Sequence, residues 1–198
     1  MRVLMACFVA VAVGLTAPAA SADMSDDCVQ TRDHALSIDA CTRVIASGNW
    51  SGRNLAWAYN NRGNAYRALG QYDRAIRDLS EAIRLRTDYV VAYTNRGYAF
   101  FLMRDYNSAL FDLDRAVDLD PDYALAYENR SLVHCKLWNT EAGYEDMKRA
   151  IEMGSWTARQ AQNWLGEMGF YAGPVTGVYD TVLDEALLSW MLKGCDGV

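Results

Sequence analysis

The chain has 198 residues, 52% of them hydrophobic, with 19 basic and 25 acidic side chains and a formal net charge of −6. That balance argues against nonspecific nucleic-acid binding, which needs a basic face to neutralise phosphates, and against attraction to an anionic membrane surface. After the first segment no charge-free apolar run reaches about 18 residues, so no transmembrane anchor is expected.

Residues 1–22 have the layout of a cleaved secretory signal. Arg2 gives the charged start, Val3 to Leu15 the apolar run, and Ala20-Ser21-Ala22 the small-residue cleavage site. The expected location is therefore periplasmic or secreted. Arg2 is the only charge in this segment, so its removal leaves 18 basic against 25 acidic residues. Cys7 leaves with it. The remaining Cys28, Cys41, Cys135 and Cys195 are an even set in an exported chain, which points to disulfides. Three pairings exist. Proximity favours Cys28–Cys41 and leaves Cys135–Cys195, with buried free thiols as the alternative.

Residues 23–54 begin polar. A helical pattern then appears from Ala35 to Ala46, with Leu36, Ile38, Cys41, Val44 and Ile45 on the apolar side. Its register against Ile76–Ile83 makes it the second helix of a degenerate leading repeat, a cap separated from the next repeat by about four inserted residues. From residue 55 to 155 the chain repeats itself at one fixed period. Tyr59-Asn60-Asn61-Arg62-Gly63 is echoed by Tyr93-Thr94-Asn95-Arg96-Gly97 and by Tyr127-Glu128-Asn129-Arg130-Ser131. The units 56–89, 90–123 and 124–155 each divide into a helix A and a helix B. Small residues (Gly63, Gly97, Ala75, Ala109) let the helices approach, and large ones (Tyr59, Tyr66, Leu79, Phe100, Leu113) fill the gaps. Ser131 and Thr140 replace a glycine and a tyrosine, so looser packing is expected in the third unit.

One helical pair cannot bury its apolar face alone, so such units stack. The residues at these registers resemble the tetratricopeptide repeat. The resemblance implies an all-α solenoid of helical hairpins whose inner face, mostly helix A, binds a protein or peptide ligand. The corresponding residues are Trp57, Asn60, Asn64 and Arg67, then Tyr98 and Phe101, then Leu125 and Glu128. Amides at Asn60 and Asn64 would hold a peptide main chain. Trp57, Tyr98 and Phe101 would be apolar anchors. The lysine-rich clamp that some family members close on a terminal carboxylate is absent. In a departure from the most familiar pattern, Arg62, Arg96 and Arg130 are followed, each at the same offset, by Asp78, Asp112 and Asp146. That offset predicts internal Arg–Asp pairs, each between helix A and helix B of one unit.

Residues 156–198 differ in composition. A helix is expected over Trp156–Met168, then a tight loop, then a helix capped by Asp180 and running to Lys193. Gln160, Leu165, Gly169-Phe170-Tyr171, Gly173 to Tyr179, Ala186 and Trp190 resemble a small peptidoglycan-binding domain. That likeness implies sugar contacts at Tyr171, Tyr179, Trp190 and Asp180; the alternative is a cap for the solenoid. No catalytic constellation, metal site or cofactor is expected: His34 and His134 are the two histidines, no phosphate-binding glycine loop follows a strand, and no strand is predicted. The functional expectation is an exported protein-binding scaffold of the bacterial envelope, with peptidoglycan docking through the last module as an open option, or a non-catalytic regulatory or substrate-presenting subunit of an envelope enzyme such as a peptidoglycan hydrolase.

Overall fold

A computed structural model describes residues 26–29 and 33–195. The expected signal segment lies outside them. Among the described residues there is no strand, and no helix is long and apolar enough to cross a membrane. The fold is all-α, a solenoid of stacked helical hairpins.

Helix α1 spans His34–Ala46 and starts on Asp33, whose carboxylate accepts from the backbone N–H of Ala35 and Leu36. A short 3₁₀ turn, Gly52–Leu55, follows. Three hairpins come next: α2 (Ala56–Ala68) with α3 (Tyr72–Leu85), α4 (Val90–Leu102) with α5 (Tyr106–Leu119), and α6 (Ala124–Lys136) with α7 (Thr140–Glu152). Helices α8 (Ala158–Glu167) and α9 (Thr181–Leu192) close the chain. The A helices α2, α4 and α6 approach one another more closely than the B helices α3, α5 and α7 do. The stack therefore curves, with A helices on its inner side and B helices on its outer side.

Each hairpin turns through a left-handed residue at the same register, Gly70, Arg104 and Trp138. The backbone closes identically each time: Gln71 N–H donates to Tyr66 O, Asp105 to Phe100 O and Asn139 to His134 O, at 2.9, 3.0 and 2.9 Å. Glycine takes this conformation without strain and arginine does not. Arg104→Gly, at an exposed position, is expected to raise stability by about 1 kcal/mol, measured by urea unfolding.

Where hairpin helices cross, a Cβ on Gly97 would lie 2.8 Å from Leu113 Cγ, and Gly63 meets Leu79 in the same way. The looser packing expected of the third unit is not found. Ser131 is fully buried and its hydroxyl donates to Glu128 O at 2.7 Å. Gly143 stands where the earlier units have Ala75 and Ala109, and a Cβ there would lie 3.1 Å from Ser131 O. The larger residue on one helix is matched by a smaller one on the other.

The Arg–Asp pairs are bidentate. Nε and Nη2 of Arg62 donate to Asp78 at 2.7 and 2.9 Å. Arg96 does the same to Asp112 at 2.7 and 2.7 Å, and Arg130 to Asp146 at 2.7 and 2.8 Å. Asp112 is only 1% exposed. Burial pushes its carboxyl up, against the opposing pull of Arg96. The remaining nitrogen of each arginine reaches back to the preceding B helix: Thr42 Oγ1 at 3.0 Å, Ser80 Oγ at 2.9 Å and Asp114 Oδ1 at 2.9 Å. These three acceptors share one repeat register, so α1 occupies the place of a B helix. Tyr59, Tyr93 and Tyr127 lie under the guanidiniums at 5.5, 5.8 and 5.3 Å.

Both disulfides of the favoured pairing form, Cys28–Cys41 and Cys135–Cys195. The first joins the segment 26–29 to α1. The second joins α6 to the stretch just beyond α9. Helix α8 starts in phase with the repeats, Ala158 falling one further period after Val90 and Ala124, yet it is α9 that packs against α7. Met191 touches the Gly143 site, and Lys136 Nζ donates to Gly194 O and Cys195 O at 3.3 and 3.2 Å.

Candidate functional site

The inner face is a strip of A-helix side chains, and the structure sorts its expected members into two groups. Asn64, Arg67 and Tyr98 remain part-exposed and Leu125 exposed. Arg67 donates to Asn64 Oδ1 at 3.2 and 2.6 Å and lies 5.0 Å over the Tyr98 ring. This contact bridges the first two hairpins and fixes the tyrosine in place. Leu125 on α6 is 40% exposed.

Four expected groove residues are occupied elsewhere. Asn60 is buried between α2 and α4; its Oδ1 accepts from Asn95 at 3.0 Å and its Nδ2 donates to Asn61 at 3.1 Å. Phe101 is buried beneath Tyr98, with ring centroids 5.8 Å apart and nearly parallel planes. Trp57 turns to the leading cap, edge-on to Trp50 and against the cluster of Cys28, Cys41 and Val44. Glu128 accepts from Ser155 Oγ at 2.6 Å. In each case a neighbouring helix or turn contacts the side chain.

The sequence reading missed a row of amides. Asn61, Asn95 and Asn129 recur at the repeat period, one per A helix. Asn61 and Asn64 also line a hollow of about 90 Å³ between α1 and α2. Asn95 and Asn61 are joined through Asn60, which leaves the Asn95 carbonyl and the Asn61 amino group unused among the described residues. Asn129 makes no side-chain hydrogen bond to any described residue, although it is largely buried. The signal of the row was in the period itself, one residue before each arginine of the Arg–Asp pairs.

In the last module all four expected sugar contacts are engaged internally. Trp190 is 1% exposed, edge-on to Trp164 at 4.8 Å. Tyr171 is buried; its hydroxyl donates to Pro174 O at 2.8 Å and accepts from Gln162. Asp180 caps α9, accepting from Leu183 N–H at 2.9 Å. The hydroxyls of Tyr144 on α7 and Tyr179 in the loop both donate to Asp184 Oδ1, that of Tyr179 at 2.7 Å. Gln162, fully buried on α8, organises the loop: it donates to Tyr171, Thr176 and Val178 and accepts from Gly177 N–H.

The hydrogen bonds from Tyr144 and then Tyr179 hold Asp184 below the usual carboxylate range, while burial, with Asp184 beside it, pushes Tyr144 up to about 12. A depressed carboxylate stabilises the fold fully above its unfolded value of about 3.9, and that contribution disappears as pH falls through the lower folded value. Asp184→Ala is expected to cost about 2 kcal/mol at neutral pH. Chemical denaturation across pH 2–7 should show a gap between variant and parent that is constant above about pH 4 and narrows as pH falls below it.

His134 stands where the earlier units have Tyr66 and Phe100. It is half-buried, with Nε2 3.8 Å from Asp146, and burial pushes its pKa down. Among the described residues no group of three or more His, Cys, Asp or Glu is placed to hold a metal ion.

Comparison with known proteins finds similarity to one repeat family over part of the chain. A family profile described as TPR repeat matches residues 63–103, and one described as Tetratricopeptide repeat matches residues 90–123. No curated protein matches the chain. Among solved structures, MamA is similar over 88% of this chain and 91% of its own, at 22% identity and a TM-score of 0.60. The first TPR of Spaghetti (RPAP3) bound to the HSP90 peptide SRMEEVD covers 62% of this chain and 96% of its own, at 27% identity and a TM-score of 0.54. The first TPR domain of human RPAP3 covers 60% of this chain and 92% of its own, at 28% identity and a TM-score of 0.54.

Proposed function

We propose that this tetratricopeptide-repeat solenoid acts by binding rather than catalysis, and holds an extended peptide segment of a protein partner along its inner face. The observation that carries this reading is the amide row. Asn61, Asn95 and Asn129 offer donors and acceptors at one register of three successive helices, beside Tyr98 and Leu125 as apolar contacts. An amide serves both halves of a peptide group, so the main chain is recognised along the row and side chains are selected by Tyr98 and Leu125. The peptide complex of the RPAP3 repeat supports the mode of binding. The acidic sequence of its peptide does not carry over. Arg67 is already engaged with Asn64 and Tyr98, and no lysine stands beside it on this face.

Two disulfides and the leading segment support an exported protein in an oxidising compartment. Intact-mass measurement of the secreted chain should place its first residue at Asp23. For the last module, the internal engagement of Tyr171, Tyr179, Asp180 and Trp190 supports a capping role. On sedimentation with insoluble peptidoglycan the chain is expected in the supernatant; co-sedimentation would return the docking role.

The groove is tested with peptides selected from a random displayed library. Asn95→Ala with Asn129→Ala should weaken selected peptides by about tenfold or more, and so should N-methylation of their central peptide groups. Unchanged affinity in a variant that melts like the parent sinks the reading.

A further inference from the structure

The outer face carries a pattern the groove does not explain. Phe111, on α5, is 71% exposed. Its equivalents one unit either way are Arg77 on α3 and Glu145 on α7, opposite in charge. One further turn along each outer helix the reversal recurs. Helix α3 carries the ion pair Glu81–Arg84, at 2.6 Å, and α7 carries Arg149–Glu152, at 3.8 Å, in the opposite order at the same registers. The central helix has Arg115 and Asp118 there, and neither is ion-paired among the described residues.

We propose that this outer face is a homodimer interface, with a two-fold axis passing by Phe111 parallel to the helices. Such an axis reverses the order of the units and preserves helix direction. It lays α3 of one protomer against α7 of its partner, and α5 against its own copy. Arg77 then meets the partner's Glu145. Glu81 meets the partner's Arg149, and Arg84 the partner's Glu152. Arg115 and Asp118 cross-pair over the axis, which gives each the counter-ion it lacks in one protomer. A like-charged juxtaposition in this strip, Asp73 with the partner's Glu141, falls at the solvated end of the helices.

The shape agrees with the charges. Two outwardly curved faces touch at their centres and diverge beyond. Phe111 sits at that centre, beside an open depression of about 410 Å³ lined by Phe100, Asn107 and Ser108, with the paired Arg96 and Asp112 behind. Each protomer offers one ring and one depression, which is the self-complementarity an isologous contact requires. Long arginine and glutamate side chains span the diverging flanks. An apolar centre with a charged rim is the ordinary anatomy of an interface, and the charges set its register. A symmetric protein with one peptide groove per protomer would engage two segments at once.

Sedimentation equilibrium on the full mature chain tests this. A reversible dimer is expected. Phe111→Asp, at a solvent-exposed site, should raise its dissociation constant by about tenfold or more with the helical circular-dichroism spectrum unchanged. Arg77→Glu alone and Glu145→Arg alone each place two like-charge contacts in the dimer and should weaken it. Combined in one chain, they should restore affinity to within about threefold, because every contact is reversed in sign and kept. A monomer at all concentrations, a dimer indifferent to Phe111→Asp, or a double variant no better than the singles overturns the proposal. So does a monomer that uses Phe111 to capture a different protein.

Discussion

Arg96→Met is expected to destabilise the solenoid by about 3–5 kcal/mol, because it leaves the Asp112 carboxylate buried without its counter-ion. In a chain of this size that corresponds to a fall in melting temperature of roughly 6–20 °C. Burial makes Arg96 the most sensitive of the three arginines. Asp112 is the least exposed of the aspartates, at 1% against 8% for Asp78 and 7% for Asp146. Arg96 also bonds Ser80, as Arg62 bonds Thr42 and Arg130 bonds Asp114, so its loss loosens the junction with the first hairpin. The pH dependence identifies the cause. Burial already pushes Asp112 up in the parent. Without the arginine it is raised further, and a proton then removes the unpaired charge. The deficit of Arg96→Met should therefore shrink as pH falls through that raised value. A loss independent of pH would point to packing instead.

Removing the bond between Cys135 and Cys195 should cost about 4 kcal/mol, the chain-entropy value for a closed loop of this length. The loop spans 60 residues and encloses α7, α8, the Gln162-ordered loop and α9. The shorter bridge Cys28–Cys41 spans 13 residues and should contribute about 3 kcal/mol. The expected signature of Cys135→Ser with Cys195→Ser is uneven. Amide protection should fall first in α8 and α9, while α2 to α5 keep theirs, since stability in a repeat protein is largely nearest-neighbour. Uniform loss across the chain would mean that the module and the solenoid unfold as one unit.

The repeat period made the hairpins and the Arg–Asp offset legible in advance, and a local helix-start signal did the same for the cap on α9. These rest on spacing along one helix or across one hairpin, and spacing is what a sequence states directly. The inner face was legible only by side. Helix A is flanked by its own B helix and by the A helices before and after it, so a narrow strip per turn is left for a ligand. Asn60 and Asn61 are adjacent on α2, yet the first is spent against α4 and the second reaches the hollow beside α1. Helical periodicity does not separate two such neighbours when packing comes from three directions. The last module was legible as helix, loop and helix, but its internal bonds were not, for a related reason. Tyr171, Tyr179 and Trp190 look like a sugar platform by composition, but Gln162, Asp184 and Trp164 take them up, and nothing in the spacing of Gln162 marks it as the hub of that loop.

The arginine that fastens each hairpin has a direction. Its two-pronged grip is on the aspartate of its own unit, and its third bond always points to a residue earlier in the chain: Thr42, Ser80 or Asp114. During synthesis, then, every group needed to close a junction has already been made when the later hairpin's aspartate is added. No junction waits for residues still to come, until α9 and Cys195 arrive to seal the far end. The solenoid is built to assemble from its beginning, one locked step behind the growing end of the chain.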